Sequence, residues 1–215
     1  MNRKNIIIIL GTPHLSTTPG KCSPDGRFRE ANYGREIVTR LQEELETLGY
    51  NVYVDYMSLL PQPSWKAKSY KTEQTRELAH RVTRVNALCN HFGKRNCVYI
   101  SIHNNAASGD GKWHSARGFS VFVNRGVVSD NSKKLARIFT KNAEAMNLMG
   151  NRAVPPCKYW DANLYVLKNT YCPAVLTENL FQDNEQDVDF LLSETGKRAI
   201  VQLHVQSIND YVKQL

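Results

Sequence analysis

The segment CVYISIHNNAASGDG, Cys97–Gly111, opens on a strand-like alternation built from Val98, Tyr99, Ile100 and Ile102. The alternation along this run reads as a β-strand. It runs into His103, then Asn104 and Asn105, then a glycine-containing loop. An imidazole is thereby delivered to the carboxyl end of a buried strand.

The same grammar recurs on either side. NIIIIL at Asn5–Leu10 reads as a first strand, and the stretch from Arg29 repeats Tyr33, Ile37, Leu41, Leu45 and Leu48 at helical spacing before Gly49 closes it. NVYVDYM (Asn51–Met57) is a strand, TEQTRELAHRVTRVNALCNHFG (Thr72–Gly93) a helix, GFSVFVN (Gly118–Asn124) a strand, and Ser129–Gly150 a helix. PAVLTEN (Pro173–Asn179) is the last strand, followed by helices near 184–192 and 194–212. Strands alternating with helices predict a single α/β domain over residues 1–215, a twisted, largely parallel sheet flanked by helices, with the functional site at the carboxyl ends of the strands. The stretches 58–71 and 151–163 break this rhythm and read as cleft walls or surface connections.

At 41% hydrophobic and 22% charged residues, the 215-residue chain has enough apolar material for one substantial core. No apolar run approaches the roughly 20 residues of a membrane span. The start, MNRKNIIIILGTPH, pairs a basic flank with an apolar patch but no small-residue cleavage site, so it reads as a buried strand rather than a secretory signal. A net charge of +8 favours an anionic partner, yet the Lys and Arg residues are scattered, with no arginine-rich arm or nucleic-acid module. Five cysteines without CxxC spacing, Cys22, Cys89, Cys97, Cys157 and Cys172, read as reduced and mostly buried thiols.

Ligands of an open α/β sheet bind beyond the carboxyl ends of its strands. The first run ends in GTPH, giving His14; the third in SIH, giving His103; the late run PAVLTEN gives Glu178. A fourth group, Glu30, shares the helical stripe of Tyr33, Ile37 and Leu41, which must face the sheet, and a carboxylate there needs a cation or strong hydrogen bonds to offset its desolvation. Two imidazoles, a carboxylate and one open position make a catalytic zinc site, with a second carboxylate nearby as general base. Asn104 and Asn105, directly after His103, are candidates to orient a substrate amide or to brace the histidine. His80, His91 and His204 fall inside helices, and His114 in the loop after His103 is the one substitute ligand.

At these residues the sequence resembles the zinc-dependent N-acetylmuramoyl-L-alanine amidases of the amidase-3 type, which cut peptide stems from peptidoglycan. That family has a strand leading to a histidine, a glutamate opening the next helix, a SIHxNA-like segment and a late PAVLxExGFxxN-like segment. Here these are GTPH, REANYGREI, SIHNNA and PAVLTENLFQDN, and RVTRVN at Arg81–Asn86 is similar to the family's RxxxAN helix. The motif order is preserved across most of the chain. Carried over, the resemblance implies Zn2+ held by His14, Glu30 and His103, a metal-bound water as nucleophile, and Glu178 as general acid/base. It further implies a peptidoglycan substrate and action at the cell wall, in the periplasm or outside the cell, with a phage lysin (an endolysin) held in the cytoplasm before release as one setting. The chain departs from the pattern in three places: PHLSTTPG replaces a glycine-rich turn, no arginine follows the second strand, and Leu180 stands where glycine is usual. Alternatives are a zinc peptidase or carboxypeptidase acting on stem peptides, an inactive wall-binding module, and a basic nucleic-acid-binding protein, the last without a motif of its own. Composition and motifs leave the oligomeric state open.

Overall fold

The computed structural model describes residues 5–215, so the basic flank before Asn5 lies outside the described residues. In chain order the elements are β1 (Ile7–Gly11), α1 (Glu30–Thr47), β2 (Asn51–Val54), α2 (Tyr70–Phe92), β3 (Cys97–Asn105), β4 (Ser120–Asn124), α3 (Asp130–Ala145), β5 (Trp160–Ala162), α4 (Tyr165–Asn169), β6 (Ala174–Phe181), α5 (Glu185–Leu192) and α6 (Glu194–Val212). A 3-10 turn, Pro63–Trp65, lies between β2 and α2.

The six strands form one sheet in the order β2-β1-β3-β6-β4-β5. Neighbours run parallel except β4 and β6, which are antiparallel. The predicted α/β architecture is therefore present, with the reversal of β4 as an added feature.

Both faces of the sheet are covered, which is why its central strands carry no polar stripe. Ile8 and Leu10 of β1 join the larger core beneath α1, α3, α5 and α6, while Ile7 and Ile9 join a smaller one beneath α2 and α4. Helix ends follow local chemistry. Ser129, Asn184 and Ser193 accept from backbone N–H groups at the starts of α3, α5 and α6. The third helix stops at Ala145, short of the expected Gly150, and Asn147 lies in the left-handed region at φ 57°. The stretch 151–163 is no mere loop, since it ends in β5 along the sheet edge.

The predicted strands place the candidate residues at one edge. His14 follows β1, whereas His103 and Glu178 sit within the carboxyl-terminal halves of β3 and β6. They are paired: His103 lies opposite Glu178 in the parallel ladder, and Ser120 of β4 lies opposite Glu178 on its other side. Beyond that pair the register slips, for Asn105 pairs with Phe181. The extra residue is accommodated in β6 beside Leu180, whose φ of 66° is left-handed.

Candidate metal centre

His14 hangs from a loop that is fastened at several points. Arg35, on α1, donates from Nη1 to the carbonyls of Pro13 and Ala31 (both 2.8 Å) and from Nη2 to those of His14 (2.9 Å) and Ser58 (2.8 Å). Its Nε reaches the Met57 carbonyl at 3.0 Å. Burial draws this guanidinium down to about 10, still cationic at neutral pH. Beside it, Gly34 lets α1 approach the loop, because a Cβ there would sit 2.3 Å from the Pro13 ring. His14 itself adopts φ 25°, a conformation that an L-residue holds only when its surroundings impose it.

Glu30 opens α1 and is fully buried. Its Oε1 accepts from the Asn104 backbone N–H at 3.0 Å and lies 3.0 Å from His103 Nδ1. Oε2 has no hydrogen-bond partner, and stands 3.6 Å from His14 Nε2 and 3.8 Å from Lys21 Nζ. The two imidazoles meet edge to face, centroids 5.1 Å apart. One ligand atom from each of His14, Glu30 and His103 falls within 4.8 Å of the others.

Protonation favours the same use. Burial pushes His14 down to about 3, so its imidazole is neutral. Burial opposes the charge of Glu30, but His14, His103 and Lys21 outweigh it and hold the carboxyl at about 2. A neutral imidazole and an ionised carboxylate are the forms that bind metal. The orphaned Glu30 Oε2 is satisfied by a cation placed among the three side chains, so the donor set fits a divalent metal of zinc type.

Glu178 completes the group. Its Oε2 is sealed from solvent without a partner, and burial, reinforced by Glu30, pushes the carboxyl up to about 8. Lys21 and Arg152 temper this shift. Neither cation stood out in the sequence; Arg152 belongs to the 151–163 stretch and lies over the Phe181 and Trp160 rings. A cavity of about 160 Å³ opens beside His14 and His103, floored by Ser101 and Leu176 and walled by Glu77 and Arg81 of α2. Arg81 is locked there by Asp55 and Thr12 through Nη1 (2.8 and 2.9 Å) and by Glu77 through Nε (3.0 Å).

The two asparagines are placed differently from each other. Asn104 is buried, and its side chain donates to the Asn179 carbonyl. Asn105 caps its own loop, its Oδ1 accepting from the Ala106 N–H at 2.9 Å, with Nδ2 3.4 Å from Ser120 Oγ. His114 pairs with Asp110 at 2.9 Å on the exposed loop. No helix among the described residues is long and apolar enough to cross a membrane.

Known structures share this architecture. The CwlD amidase of Clostridioides difficile, solved in complex with the GerS lipoprotein, superposes with a TM-score of 0.80 at 22% identity, covering 98% of this chain and 100% of that one. The N-acetylmuramyl-L-alanine amidase Ami1 of Mycobacterium smegmatis gives 0.78 at 16% identity, with 100% of each chain covered. The catalytic domain of the CD27L endolysin targeting Clostridia difficile gives 0.66 at 20% identity, covering 95% and 97%. At these identities the likeness establishes the fold. No curated protein sequence matches the chain. The Amidase_3 family model, described as N-acetylmuramoyl-L-alanine amidase, matches residues 6–210, and with that extent of agreement the chain belongs to this amidase family.

Proposed function

We propose that residues 1–215 form a catalytic domain that hydrolyses the amide between N-acetylmuramic acid and L-alanine in peptidoglycan, with zinc held by His14, Glu30 and His103. The observation that carries this reading is the His14–Glu30–His103 cluster, two partly exposed imidazoles on a buried carboxylate, with Glu178 directly across the ladder from His103. When bound, zinc supplies Lewis acidity, acidifying water and polarising an amide carbonyl.

The protein's own residues do the rest. Glu178 takes the proton from the attacking water and returns it to the departing L-alanine nitrogen. Burial and the neighbouring Glu30 raise the proton affinity of this carboxyl above that of an ordinary carboxylate, which favours accepting the proton of the attacking water. Lys21 and Arg152 supply positive charge at the same edge, where negative charge develops on the scissile carbonyl. The net charge of +8 favours encounter with a wall polymer bearing carboxylates or phosphates. Asn105 is the better placed of the two asparagines to meet substrate, because the Asn104 side chain is turned inward. The cell wall is the site of action, and release as a phage endolysin is one setting that fits.

Mass spectrometry of the products from purified sacculi tests the bond. Peptides with a free L-alanine amino terminus, lost on chelation and restored by zinc, are the expected result. D-alanine or internal stem fragments instead would assign a peptidase or carboxypeptidase to the same metal centre.

A further inference from the structure

On the face of β6 turned away from Glu178, a chain of hydrogen bonds links three fully buried side chains that the chemistry above does not use: Thr177, Asn179 and His204. Donor capacity fixes its direction. His204 Nδ1–H donates to the Ile200 carbonyl, one turn back in α6, at 2.8 Å, which leaves Nε2 to accept from the Thr177 hydroxyl at 3.0 Å. With its proton committed, Thr177 Oγ1 accepts from Asn179 Nδ2 at 3.2 Å. The same amide nitrogen donates to the His103 carbonyl at 3.0 Å. From the opposite strand, Asn104 Nδ2 donates to the Asn179 carbonyl.

The His103 carbonyl and the Asn104 N–H belong to one peptide unit. Asn179 holds its carbonyl end, and Glu30 Oε1 accepts from its N–H end at 3.0 Å. That plane is therefore gripped from both sides, and its tilt sets where the Glu30 carboxylate and the His103 ring come to rest. The grip falls where the β3–β6 register slips and where Leu180 is left-handed, so side-chain amides take over from a ladder that is interrupted there. Asn179 accepts a cost in doing this, since its Oδ1 is buried without a partner.

We infer that Asn179, anchored through Thr177 to His204, is a positioning residue for the metal centre: it fixes the His103–Asn104 peptide and so holds Glu30 and His103 in ligating geometry opposite Glu178. The inference rests on the zinc hydrolase reading of the site.

The test compares Asn179→Ala, Thr177→Val and Thr177→Ser with the unaltered protein. Zinc affinity is measured by competition with a chromophoric chelator, the cobalt-substituted absorption spectrum reports ligand geometry, and kcat and KM are read on solubilised peptidoglycan. Asn179→Ala is expected to weaken zinc binding about 10- to 100-fold, alter the cobalt spectrum and lower kcat with little change in KM. Thr177→Val is expected to do the same more weakly, and Thr177→Ser to restore normal values. If Asn179→Ala does not fold, the Thr177 pair decides the matter alone. Unchanged zinc affinity and cobalt spectrum in folded Asn179→Ala, or in Thr177→Val where that pair decides, would overturn the inference, even with a lowered melting temperature. An unaltered protein that binds zinc tightly but releases no wall product fails the amidase reading, and the zinc comparison still decides the role of Asn179.

Discussion

His103 and Glu178 face each other directly across the parallel β3–β6 ladder, one within the His14–Glu30–His103 cluster and the other outside it. This separation divides their roles. Glu178→Gln keeps size and hydrogen-bonding capacity but cannot carry the proton, so turnover is expected to fall by about 10²–10⁴ with bound zinc unchanged. Product analysis alongside metal content checks this; loss of zinc together with activity would make Glu178 a ligand.

Removing a ligand has the opposite signature. Glu30→Gln preserves an acceptor for the Asn104 N–H but abolishes the negative charge between the two imidazoles. Zinc content after dialysis is expected to drop well below one per chain, with activity falling in step, and added zinc is expected to rescue only partly. Full occupancy in this variant would remove Glu30 from the ligand set.

His204 ties stability to pH. Burial pushes its imidazole down to about 4, from an ordinary value of 6.5. Between those values the unfolded chain takes up a proton that the folded chain refuses, so stability rises with pH across that window. The contribution is complete above pH 6.5 and is lost as pH falls to 4, a change on the order of 3 kcal/mol. Urea titrations at several pH values are expected to show the gap between the unaltered protein and His204→Gln narrowing as the solution is acidified; a constant gap would contradict the assignment.

Leu180 gives an inverted truncation series. Its left-handed backbone costs about 1–2 kcal/mol for an L-residue, against which its buried side chain stabilises the core. Leu180→Ala loses the packing and keeps the strain, whereas Leu180→Gly loses the packing and relieves it. Glycine is therefore expected to be the more stable of the two variants in denaturant unfolding, the reverse of the usual order.

Gly34 controls how closely α1 approaches the loop that bears His14. In Gly34→Ala the added methyl meets the Pro13 ring at 2.3 Å, so helix and loop must part. Weakened zinc affinity with α1 still formed is the expected outcome, measured by chelator competition and circular dichroism. Unchanged zinc affinity would show that the loop yields without moving His14.

The four candidate residues could be picked out because each stands where an apolar pattern ends or turns: His14, His103 and Glu178 after strand-like runs, Glu30 on a helix stripe that must face the sheet. The rest depended on partners distant in sequence. The roles of Arg35 and Arg81 become visible only when carbonyls from loops at 13–14 and 57–58, and the carboxylate of Asp55, close around them. The strand β5 has three residues, too few for an alternation to register, and nothing in the composition of β4 encodes the reversed direction it takes beside β6. Asn104, from its place after His103, reads either as a substrate contact or as a brace for the histidine, and only the fold shows its amide donating to the Asn179 carbonyl beside the bulge at Leu180.

Arg35 has a further effect. Its donors go to backbone carbonyls at Pro13, His14, Ala31, Met57 and Ser58, and it remains cationic well above neutral pH. The loop that carries His14 is thus tethered by a bond set that involves neither the metal nor Glu178. On the zinc reading, the metal works as a removable part rather than as mortar: scarcity silences the enzyme while the chain stays folded, and resupply restarts it without refolding.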